Sequence, residues 1–61
     1  MTDIRENDFV VTKSVIDFGI QGYIREGEMG VVVDTTAPNY CLVRFMNNQM
    51  EWIDAKHLKK V

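Results

Sequence analysis

Few side chains in this 61-residue sequence could do chemistry, and their spacing decides what each is for. His57 is its one histidine, the side chain whose ordinary pKa suits proton transfer near neutral pH. It stands beside Lys56 and near Asp54 in a polar run, where a lone imidazole is a solvated surface group. Cys41 is the one cysteine. It alternates with the apolar residues of its segment, and as a small buried residue it is inert. One cysteine and one histidine do not make a zinc ligand set. Glu26 and Glu28 flank Gly27, which makes them solvated acids on a turn. Gly19/Gly22 and Gly27/Gly30 have the spacing of a backbone clamp on phosphate, but no Lys-Ser/Thr follows and no helix begins there. Turn geometry accounts for these glycines. The sequence predicts a protein that is not an enzyme and holds neither metal nor cofactor.

Binding has more to work with. In Tyr40-Cys41-Leu42-Val43-Arg44-Phe45, a two-residue period sends Cys41, Val43 and Phe45 to one face. Tyr40, Leu42 and Arg44 take the other, and in the next apolar run Met50 and Trp52 share a face. A hairpin that joined Tyr40, Leu42, Arg44, Met50 and Trp52 would expose the aromatic and arginine content typical of interface hot spots. Phe18 and Tyr23, from a long loop, would extend it. The plainer assignment has Trp52 covering the core and Met50 filling a gap. A second binding chemistry uses Arg44, Lys56, Lys59 and Lys60, with Tyr40 or Trp52 stacking on bases. The net charge of −2 weighs against a partner held mainly by its phosphates.

The elements that must position these groups are short strands. Residues 9–14 (FVVTKS) are rich in β-branched side chains and read as the first. Residues 15–28 hold apolar residues at no single period, broken by glycines, and read as one long excursion, a splayed hairpin anchored by its flanks. The turn 27–30 launches a second strand over 31–34. Residues 35–39 form a loop with Pro38 presetting a turn, and 40–45 is the third strand. Residues 46–49 make a tight connection whose asparagines can take positive φ. A fourth strand follows over 50–53, then one helical turn capped by Asp54, then a fifth strand over 58–61. Residues 1–8 read as a flexible lead-in to a single domain over 9–61.

Sixty-one residues lie near the lower limit for a fold held by its core alone. No deep cavity fits inside such a domain, and a lone cysteine supplies no internal disulfide. The N-terminal residues MTDIREND lack the basic start and apolar run of a signal peptide, and no apolar stretch approaches the ~20 residues of a membrane span. A soluble cytoplasmic protein is expected, with no membrane partner. Residues 1–34 carry seven acids and three bases, and 35–61 two acids and four bases. Scattered solvation explains this split, and so do two faces of opposite sign.

Strand, long loop, three strands, 3-10 turn, strand is the order of an all-β, five-stranded SH3-like barrel, in which closure removes exposed edges. Gly27-x-x-Gly30-x-Val32, then Val43-Arg44-Phe45, then Trp52-Ile53 and Leu58, resembles small bacterial SH3-like proteins. These include KOW-type domains and stand-alone barrels such as the photosystem I subunit PsaE. The resemblance spans nearly all of 9–61 and implies RNA or ribosomal binding, docking of redox proteins, or an accessory-subunit role. The proline-binding signature of signalling SH3 domains is absent, as is the basic enrichment of RNA-binding KOW proteins. A protein-interaction module or accessory subunit is the leading expectation, with a KOW-like nucleic-acid binder as the alternative. A homo-oligomer is also compatible.

Overall fold

The computed structural model describes residues 4–61, and regular structure among them consists of β-strands and 3-10 turns. Seven strands are present: β1 (Phe9–Thr12), β2 (Ile16–Asp17), β3 (Tyr23–Ile24), β4 (Met29–Asp34), β5 (Tyr40–Phe45), β6 (Met50–Asp54) and β7 (Leu58–Lys60). A five-stranded antiparallel sheet has the order β6-β5-β4-β1-β7, and β2 pairs with β3 in a separate two-stranded sheet.

The period-2 alternation makes this architecture. On one face of the large sheet Val10, Val32, Cys41, Val43, Phe45, Ile53 and Leu58 are buried, and Ile24 from β3 joins them. Ile16 and Phe18 pack against that cluster, so the small hairpin lies over the inner face. The excursion expected over 15–28 is therefore a hairpin with register Ile16↔Ile24 and Asp17↔Tyr23, and a 3-10 turn at Gly19–Gln21 makes its tip.

Four strand boundaries move from the sequence expectation: β6 ends at Asp54 rather than Ile53, β7 ends at Lys60 rather than Val61, and β1 and β4 shift by two residues each. β1 ends at Thr12 rather than Ser14, where its pairing with β7 runs out at Leu58, the first residue after the 3-10 turn. β4 begins at Met29 rather than Val31, since Gly30 is already in register with Phe45 and with Val10. A side chain at Gly30 would collide there: an added Cβ would sit 2.6 Å from Val43 Cγ1 and 2.9 Å from the Arg44 carbonyl oxygen. Gly27 turns the chain just before, at φ +84°, a left-handed conformation that L side chains resist.

The connections follow the local chemistry. Asn48 takes φ +68° in the β5–β6 turn. The 3-10 turn Ala55–His57 starts where the Asp54 carboxylate accepts the Lys56 N–H at 3.1 Å, the cap expected from the sequence.

The lead-in expected over 1–8 is tied down in its described part. The Asn7 N–H donates to the Val32 carbonyl at 2.8 Å, and the Val32 N–H donates to the Asp8 carbonyl at 2.9 Å. Ile4 packs on the core. Residues 1–3 lie outside the described part of the chain. The Asp8 carboxylate also accepts the Arg5 N–H at 2.8 Å and meets Lys60 Nζ at 3.5 Å, so charges from the two halves of the chain are neighbours here.

Candidate interaction surface

The opposite face of the large sheet is built from the residues that alternate with the core. Register places Phe9 opposite Val31, Val31 opposite Arg44, and Arg44 opposite Met50, one row across four strands. The next row sets Asp34 opposite Leu42 and Leu42 opposite Trp52, with a bulge at Val33. Beyond it Tyr40 stands opposite Asp54. Directly opposed residues of an antiparallel pair project to the same side, ~4.5–5.5 Å apart at Cβ. Tyr40, Leu42, Arg44, Met50 and Trp52 therefore share one surface.

The surface is unusual in its apolar content. Phe9 is 52% exposed, Met50 47%, Tyr40 46% and Trp52 44%, and Met29 and Val33 are each 40% exposed. Val11, Val31 and Leu42 are half-buried between them. Arg44 is an exposed cation toward one end of this face, with exposed Lys59 opposite Val11 one rung further, and the carboxylates of Asp34 and Asp54 lie toward the other end. Both carboxylates are anchored: Asp34 accepts the Thr36 N–H at 2.7 Å and Asp54 the Lys56 N–H. The bond from Thr36 holds the Asp34 carboxyl below the usual carboxylate range, so it carries its charge near neutral pH.

Phe18 and Tyr23 do not join these rows. Phe18 packs on the interior cluster, and Tyr23 lines a cleft of about 600 Å³ with Ile24, Arg25, Glu28, Phe45 and Met46. Phe9, Val31, Val33 and Asp34 belong to the face and were not singled out in the sequence. Alternation along β1 and β4 carries the signal for the first three, while the bulge hides Asp34.

The reactive groups stay apart from this face. Cys41 lies on the inner side, 4% exposed, and burial pushes its thiol above the usual range, with Asp54 adding to the effect. His57 sits on the 3-10 turn, where its carbonyl accepts the Lys13 N–H at 2.8 Å. Among the described residues no group of three or more His, Cys, Asp or Glu side chains could hold a metal ion, and no helix is long and apolar enough to cross a membrane. No family model matches the chain, and neither a curated protein nor a solved structure matches it.

Proposed function

We propose that this protein is a non-enzymatic interaction module, or a small accessory subunit, that binds protein through the outer face of its five-stranded sheet. One observation carries the reading: six large apolar side chains, each at least 40% exposed, share a single sheet face with Arg44. Exposed patches beyond a few hundred Å² mark interaction sites on small soluble domains, and tyrosine, tryptophan and arginine dominate their energetics. Tyr40, Trp52 and Arg44 supply that set, with Leu42 and Met50 between them.

The scaffold we propose is an SH3-like barrel. The order β6-β5-β4-β1-β7, the long excursion after β1 and the 3-10 turn before β7 support it. The reduced Cys41, buried without a disulfide partner, suits a cytoplasmic setting. A nucleic-acid partner is the weaker reading. Of the four cations it would use, Lys60 meets Asp8 and Lys56 lies 4.0 Å from Asp54.

The test compares the wild type with Trp52→Ala and Arg44→Ala in affinity capture from the native host, at low and high salt. Both variants are expected to keep the fold, seen by circular dichroism, and to lose the captured protein. Unchanged capture in both would remove this face from the interaction. Capture of RNA or DNA that falls steeply with salt would favour the nucleic-acid reading.

A further inference from the structure

We propose that the occupant of the outer face is a second copy of this chain, in a two-fold dimer. The inference rests on that face being a protein-binding surface and names what covers it. Two independent features of the face point to self-association.

The first is area. Phe9, Tyr40 and Trp52 are aromatic side chains of ~150–250 Å² each, about half of it exposed, and with the smaller exposed parts of Met29, Val33 and Met50 they leave roughly 600 Å² uncovered. The half-buried Val11, Val31 and Leu42 and the stem of Arg44 extend the patch. A standard interface takes roughly 800 Å² from each partner. The outer face of this sheet is the right size to be covered once, by a surface like itself.

The second is the order of charge along β5. Arg44 lies toward one end of the face, and Asp34 stands opposite Leu42, one rung along. Asp54 stands opposite Tyr40, one rung further. The face is thus positive at one end, negative at the other, and apolar across Leu42, Trp52, Val31 and Val33. A surface with this polarity complements itself when a copy is turned end for end.

The required operator is a two-fold axis lying in the interface, across the strands, between the Leu42 and Arg44 rungs. It sets the Arg44 rung of one copy over the Leu42 rung of the other. Arg44 then reaches Asp34 of the second copy, Met50 lies over its Trp52, and Val31 lies against its Val33. Both copies make each contact, as an isologous interface requires. Like charges are kept apart, since Arg44 never meets Arg44.

Sedimentation equilibrium on the purified full chain tests this. The wild type is expected at twice the chain mass at micromolar concentration. Arg44→Glu and Asp34→Lys should each weaken the dimer at least tenfold, because each homodimer then opposes two like-charged pairs. An equimolar mixture of the two variants should recover the dimer, since both cross-contacts become oppositely charged. Met50→Glu, at an exposed position that does not disturb the core, should also give monomer. Thermal melts of each variant establish that dissociation is not unfolding. A wild type that stays monomeric into the millimolar range overturns the inference. So does a mixture of folded Arg44→Glu and Asp34→Lys that stays monomeric, or a Met50→Glu variant that still dimerises. If the wild type is monomeric but Trp52→Ala and Arg44→Ala still lose a captured protein, only the identity of the occupant fails. If neither assay responds to the face, both readings fail together.

Discussion

The Thr12 hydroxyl donates to the Arg25 carbonyl at 2.7 Å, across thirteen residues of chain. The same oxygen accepts the Glu28 N–H at 3.0 Å. The Thr12 backbone closes the arrangement, donating to the Glu28 carbonyl at 3.0 Å and accepting the Gly27 N–H at 2.9 Å. Thr12 is 2% exposed. One buried threonine thus ties the returning arm of the hairpin excursion to the end of β1, and β4 starts at the next residue after Glu28.

Thr12→Val keeps the shape and removes the hydroxyl. It leaves the Arg25 carbonyl and the Glu28 N–H without their side-chain partner, and each part-buried hydrogen bond lost costs about 0.5–1.5 kcal/mol. Each kcal/mol lowers the melting temperature of a domain this size by roughly 4–8 °C. Thr12→Ser keeps both bonds and should melt close to the wild type. Equal melting temperatures for Thr12→Val and the wild type would show that the hydroxyl does not hold the turn.

Gly30→Ala should destabilise by about 1–3 kcal/mol, the usual penalty for overpacking. The Val43 methyl can rotate away from a new Cβ, but the Arg44 carbonyl belongs to the β5 backbone and cannot move without disturbing the ladder. Val43→Ala in the same chain should therefore fail to restore stability. Urea denaturation of the single and double variants measures both effects, and full rescue by Val43→Ala would contradict the backbone clash.

Stability should fall in acid, with Asp8 as one contributor. The Arg5 N–H, and then the Lys60 ammonium, hold the Asp8 carboxyl below its ordinary value of 3.8. A carboxyl depressed in the folded state stabilises above its unfolded pKa, and the gain disappears as pH falls through the folded value. Denaturation curves collected from pH 6 downward should therefore lose less stability below pH 3.8 for Asp8→Asn than for the wild type. Salt should weaken the Lys60 part and the smaller Coulombic attraction of the Arg5 side chain, but not the Arg5 backbone hydrogen bond. Parallel pH profiles for the variant and the wild type would rule out this role for Asp8.

How much of this was legible in the sequence depended on whether a signal was local. The inward set Cys41, Val43 and Phe45 followed from alternation alone, as did the opposite placement of Tyr40, Leu42 and Arg44. Asp54 as cap and Asn48 at positive φ followed from side-chain chemistry within a few residues. Gly30 looked like part of a turn, because only its partners on β1 and β5 reveal a strand residue that must lack a side chain. Thr12 carried no signal at all, since its two partners lie at the far end of the excursion. Tyr23 and Phe18 looked available for the outer face, but the β2–β3 hairpin packs Phe18 on the interior cluster and leaves Tyr23 exposed beside a separate cleft.

By itself the sequence determined the residue alternation, the turn chemistry and a core of small and medium apolar side chains. Those properties rest on the two-residue period of a strand and on backbone torsion preferences, which act over a few residues. The tertiary structure decided the register. Pairing between consecutive strands placed Arg44 opposite Met50 and Asp34 opposite Leu42, the bulge brought Asp34 onto the outer face, and pairing of β1 with the distant β4 and β7 added Phe9 and Val11. A shift of one residue would send the same side chains to the other face. Interlocking of Gly30 beneath Val43 and the Thr12 bonds to the Arg25–Glu28 turn select the register observed.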